Sequence, residues 1–150
     1  MNADQIRYKI SILTSMVDLF KKVLGLQTEL EKRKVEEMVR RVCKEEGLSD
    51  IRTNVLVATV WAESGMNPKA INKNRNGSID FGIAQFNDGP PGVSSDKKWW
   101  IGSNADFTSP EEVLSDPEKC IRVMCREWKN GNADRWVAYK TAKYIHYLNR

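Results

Sequence analysis

Between residues 5 and 33 apolar side chains recur at alternating spacings of three and four. One stripe runs Ile10, Leu13, Val17, Phe20, Leu24, and a second runs Ile12, Met16, Leu19, Val23, Leu26, Leu30. The spacing predicts a single helix whose two stripes merge into one broad apolar face. Ser11, Thr14, Ser15, Asp18, Lys21, Lys22 and Gly25 fall on the other side. A face of this width has to be covered. The pattern leaves three covers open: the protein's own main domain, other copies packed along a coiled-coil seam, or a membrane surface or partner. Residues 1–33 are therefore set apart as a helical extension, and residues 34–150 as the main domain.

Downstream, the charged run Glu-Leu-Glu-Lys-Arg-Lys reads as a break. A second amphipathic helix follows, lined by Val35, Met38, Val39 and Val42 and stopped by Gly47. A third helix opens at Ser49 or Asp50 and runs through Val55, Leu56, Ala58, Val60 and Trp61 to Glu63. Gly65 closes it, and Pro68 stops it resuming. Short strands are expected around residues 70–72 and 78–81, joined by the turn-rich Asn-Lys-Asn-Arg-Asn-Gly. Residues 87–104 read as loop. Helix returns at Ser-Pro-Glu-Glu from Ser109, with amphipathic segments over residues 120–128 and 134–148. Helices, a small β-hairpin, then helices again make an α+β fold dominated by helix.

Composition narrows the class. The 150 residues are 41% hydrophobic and 29% charged, as in a globular chain, with a net charge of +4. Residues 1–34 hold seven Lys/Arg against four Asp/Glu; the other 116 hold seventeen against sixteen. The main body is nearly neutral, so no nucleic-acid partner is expected. Three cysteines, Cys43, Cys120 and Cys125, are an odd count without metal-ligand spacing, and read as buried free thiols. No secretory leader pattern and no apolar run long enough to span a membrane is present. Any target outside the cell would then require exit through lysis, a dedicated secretion machine or a phage particle.

The chemistry concentrates between Glu63 and Asn87. Glu63 ends an apolar helix; burial there would hold its carboxyl protonated and let it donate a proton near neutrality. Asp80 lies 17 positions later among Asn, Ser and Gly, where it should stay ionised. Two carboxylates pushed apart by their surroundings are the pattern of glycoside cleavage, as established for lysozymes.

The stretch resembles the active-site segment of c-type lysozymes. The matching residues are Glu63-Ser64, Asn67, Ala70, Asn72, Asn74, Gly77-Ser78, Asp80-Phe81-Gly82-Ile83, Gln85 and Asn87, and the Glu63–Asp80 spacing agrees without a gap. The resemblance covers about residues 35–140. It implies a lysozyme-like fold, peptidoglycan glycan strands as substrate, and no metal or organic cofactor. It makes Glu63 the acid and Asp80 the second carboxylate. It places Asn72, Asn74, Gln85 and Asn87 at the substrate, with the Asn87 backbone gripping an N-acetyl group. In Trp-Val-Ala-Tyr, Trp136 is implied to wall the acid's pocket and Tyr139 to contact substrate, and Trp99 and Trp100 are implied to stack on sugar rings.

The eight half-cystines of the animal enzymes are missing. Glu-Ser-Gly-Met-Asn-Pro-Lys-Ala is at least as similar to bacterial lytic transglycosylases, whose Gly-x-x-Gln motif stands at Gly82–Gln85 and whose Tyr-Val/Ile element resembles Tyr144-Ile145. Those enzymes need only the Glu, so Asp80 favours hydrolysis. The alternatives are a transglycosylase, or a non-catalytic lysozyme-like module of a phage particle. Asp80 could instead only order the hairpin, and Asn72 and Asn74 could be turn formers alone. Trp61 and Trp128 are expected in the core, and His146 on the surface.

Overall fold

A computed structural model describes residues 3–92, 100–101 and 106–149. The chain divides into two units, Met1–Lys34 and Val35–Arg150. The described part of the first is helix throughout, with residues 5–31 all exposed. That helix, α1, spans Ala3–Glu45 without interruption. The break expected at the charged run is absent, because Glu, Leu, Lys and Arg are all strong helix formers. Lys32 also pairs with Glu29 one turn earlier, at 3.7 Å. The stop at Gly47 stands: it is left-handed at φ 76°, and the Leu48 amide closes the end on the Cys43 carbonyl at 3.0 Å.

In the second unit α2 runs Asp50–Ser64 between the two expected caps. The Ser49 side chain accepts from the Arg52 amide, and Gly65 takes the left-handed conformation. Six consecutive residues from Leu56 to Trp61 are buried, so the helix is enclosed on every side over that stretch, while its first turn is exposed. Glu63 stands in its last turn and is therefore carried to the margin of the core on a rigid element.

A three-stranded antiparallel sheet follows in the order β1 (Ile71–Lys73), β2 (Ile79–Phe81), β3 (Phe86–Asn87). The third strand was not expected; two residues are too few to show a period. Its register sets Asn72 and Asn87 directly across from Asp80 on the two sides of β2. Directly opposed residues share a face, and across β2 the Asn87 side chain of β3 reaches Asp80.

Two capped helices come next, α3 (Pro110–Ser115) and α4 (Pro117–Lys129). Ser109 and Asp116 are the caps, and each precedes a proline in the first turn. The helix expected over 134–148 is instead three short pieces: a 3₁₀ turn at Ala133–Arg135, α5 (Val137–Lys140), and a 3₁₀ turn at Lys143–Tyr147. Trp136 is extended between the first two, and Ala142 is left-handed at φ 58°. A tertiary bond holds the first break, as the Trp136 indole N–H donates to the Ala84 carbonyl at 2.9 Å.

The core of this unit joins Val39, Val42 and Cys43 of α1 to Leu56, Val57 and Val60 of α2 and to Ile121 and Met124 of α4. Phe81, Ile83 and Phe86 of the sheet region belong to the same cluster. Trp61 and Trp128 are buried as expected, and His146 is exposed. All three cysteines are free and buried, with the Cys43 and Cys125 sulfurs 3.7 Å apart. The fold class is thus α+β, mostly helical with one small antiparallel sheet. Among the described residues no helix is long and apolar enough to cross a membrane.

Candidate active site

A cleft of about 400 Å³ in the second unit collects Glu63 from α2, Asp80 from β2, Trp100, and Trp136 at the head of α5. Asn74, Gln85 and Asn87 line it as well. The two carboxylates share this one cleft but not one environment. Glu63 is largely desolvated, which pushes its pKa above the ordinary value, and the charge of Asp80 adds to the rise. Two influences oppose it: the Ala138 amide, which donates to Glu63 Oε1 at 2.8 Å, and the charge of Lys143. That amide also fixes one carboxyl oxygen, leaving Oε2 as the atom for a proton.

Asp80 sits in a net of amides. Asn74 Nδ2 donates to Oδ2 at 2.9 Å, and Asn87 Nδ2 donates to Oδ1 at 2.6 Å. The same two amides reach Ser78 Oγ at 3.2 and 3.0 Å, and Ser78 in turn donates to Asn76 Oδ1. Asn87 is itself held, since its Oδ1 accepts from the Gly89 amide at 2.7 Å. Donors aimed at both oxygens fix the plane of the Asp80 carboxylate.

Local turns put these groups in place. Gly82 is left-handed at φ 74°, and a Cβ there would stand 2.7 Å from Val113 Cγ1, so only glycine fits. Three residues on, Gln85 is left-handed at φ 52° despite its side chain. That side chain holds the turn: Nε2 donates to the Gly82 carbonyl at 2.8 Å, and Oε1 accepts from Asn72 Nδ2. Gln85 therefore shapes the loop as well as lining the cleft.

The aromatic wall is continuous. Trp100 lies 5.7 Å from Trp136, and both pack on Phe86. Of the two residues implied to stack on sugars, Trp100 is at the cleft; Trp99 lies outside the described residues. Asn72 and Tyr139 are not among the lining residues. Asn72 is spent on Gln85, and the Tyr139 ring packs against Trp128 at 5.0 Å and Tyr144 at 5.5 Å. The Asn87 carbonyl accepts from the Trp100 amide at 3.3 Å, so the loop is tied to β3 at the point implied to grip an N-acetyl group.

Sequence reasoning passed over Arg75 and Arg135, both of which line the cleft. Arg135 is fixed by the buried Glu127 at 2.9 Å and lies 5.4 Å from the centre of the Trp100 ring. Nothing local signals this, because Glu127 is eight residues away on another element. Arg75 was legible only as part of a turn. Among the described residues no group of three or more His, Cys, Asp or Glu could hold a metal.

No protein-family model and no curated protein matches the chain. Among solved structures, the crystal structure of lysozyme from Equus asinus is similar to it. The identity is 25%, the match covers 71% of this chain and 84% of that one, and the TM-score is 0.44. A likeness at that TM-score says nothing about chemistry, which the residues of the cleft define.

Proposed function

We propose that the chain is a peptidoglycan hydrolase that cuts the β-1,4 bond between N-acetylmuramic acid and N-acetylglucosamine. The observation that carries this reading is one cleft holding two carboxylates with opposed surroundings: Glu63 desolvated and its pKa raised, Asp80 held by two amide donors. Glu63 is the general acid. Its proton passes to the glycosidic oxygen as the C–O bond breaks, and the ring left behind carries oxocarbenium charge. Asp80 faces that charge and stabilises it. Water then attacks the anomeric carbon, and Glu63 takes back a proton. The aromatic wall of Trp100 and Trp136 suits the apolar face of a sugar ring, and the amides and Arg75 suit its polar rim.

One observation favours a second reading. Both oxygens of Asp80 are already bonded to Asn74 and Asn87, as they would be if Asp80 only ordered the sheet. In that case Glu63 acts alone, and the muramic acid's own 6-hydroxyl closes a 1,6-anhydro ring, as in a lytic transglycosylase. The first test of either reading is turbidity clearance of purified cell walls by the protein and by Glu63→Gln. Clearance by the protein and none by the variant supports an acid at Glu63; equal clearance by both removes it.

A further inference from the structure

The exposed end of α1 has a two-fold order of its own. Thirteen large hydrophobic residues between Ile6 and Leu30 are 42–72% exposed. At ~100° per residue they spread over an arc of about 200°, twice what a helix lying on a globular core needs. Ile6 extends the first stripe, giving spacings of 4, 3, 4, 3, 4; the second stripe, from Ile12 to Leu30, has the same spacings. These are two heptad seams on one helix.

The two stripes mirror each other about Asp18. Reversing the chain direction through that residue sets Ile6 on Leu30, Ile10 on Leu26 and Leu13 on Val23, and the other members of the stripes pair in the same way. Every stripe residue thus meets a stripe residue when a second, identical helix lies antiparallel. Charge agrees with this direction. Between residues 5 and 31 only two charged side chains fall inside the apolar arc, Lys9 near one end and Glu31 near the other. An antiparallel partner brings Lys9 within about one turn of the other copy's Glu31, a rise of ~6 Å that the two long side chains can span. A parallel partner would set Lys9 beside Lys9 and Glu31 beside Glu31. A membrane surface would use the width of the arc but give no reason for two heptad seams or for the mirror order.

We propose that residues 6–30 of α1 pair antiparallel with the same segment of further copies of this chain. One seam faces each of two neighbours, as in a four-helix bundle. The proposal does not rest on the catalytic reading and survives its failure.

The test is the mass of the full chain in solution by sedimentation, over a range of concentrations. A species of two or more 17.2 kDa chains is expected, with a tetramer the best fit to two seams. Phe20→Lys with Leu13→Lys should return it to the monomer. Direction is read by charge exchange: Lys9→Glu should weaken association at least tenfold, and Lys9→Glu with Glu31→Lys should restore it. Restoration cannot come from a merely misfolded helix. A monomer at all concentrations would overturn the proposal, whether or not it pellets with anionic vesicles. Association that the charge exchange fails to restore would overturn the antiparallel arrangement.

Discussion

Glu63 and Asp80 line the same cleft, yet different parts of the fold prepare them. Glu63 comes from the end of a helix enclosed by core, with a single amide on one oxygen; Asp80 comes from the middle strand of a small polar sheet, with an amide on each. The difference shows how chemically similar residues can be given opposite tasks. Withholding solvent makes a carboxyl hold its proton, while supplying donors to both oxygens holds a carboxylate in one orientation. The chain achieves the first with apolar residues at helical spacing and the second with asparagines at strand register.

The comparison breaks most visibly at Glu63. Glu63→Gln keeps the volume and can still accept from the Ala138 amide, but it has no proton to give; wall cleavage should fall by roughly 10²–10⁴ in single-turnover rate. In the native protein, activity should decline as pH rises through the raised Glu63 pKa, on the alkaline side of the ordinary carboxylate range. A pH–rate profile checks this.

Next in size is Asp80→Asn, which keeps the shape and removes the charge. A loss of about 10² is expected, as for deletion of one preorganised electrostatic partner. Asn74→Ala should cost less, roughly tenfold, since Asp80 keeps its bond from Asn87. Cleavage rates of the two variants, measured beside circular dichroism to confirm folding, order the effects. Equal losses would mean that Asn74 acts on substrate directly rather than by orienting Asp80.

The smallest effect is on stability. Because burial raises the folded-state pKa of Glu63, its contribution to stability is full below the unfolded value, near ~4.3, and is lost as pH rises through the folded value. Glu63→Gln cannot ionise, so it should melt above the native protein at neutral pH, with the gap closing below about pH 4. Thermal melts at the two pH values test the sign.

Much of this arrangement was legible in the chain. Ser49 and Gly65 fixed both ends of α2 and so put Glu63 at a helix terminus. The turn-rich run from Asn72 to Gly77 marked the first hairpin. The rest escaped for physical reasons. Charged helix formers do not interrupt a helix, so α1 runs on to Glu45. A two-residue strand has no period, so Asn87 was not seen to stand opposite Asp80. The end of the chain is set by tertiary bonds such as that from Trp136 to Ala84, which no local propensity records. Arg135 was invisible for the same reason: its position depends on Glu127, on a different element. Tyr139, read as a substrate contact from its place in Trp-Val-Ala-Tyr, is instead packed against Trp128 and Tyr144.

The claim that Asp80 takes part in the reaction is tested most directly by the mass of the released muropeptides. Hydrolysis adds one water and leaves a reducing end, whereas attack by the muramic acid's own 6-hydroxyl leaves a 1,6-anhydro ring one water lighter. Reducing-end products from the native protein, and little product of either kind from Asp80→Ala, are the predicted result. Anhydro products from both proteins would contradict it and leave Asp80 as part of the sheet alone.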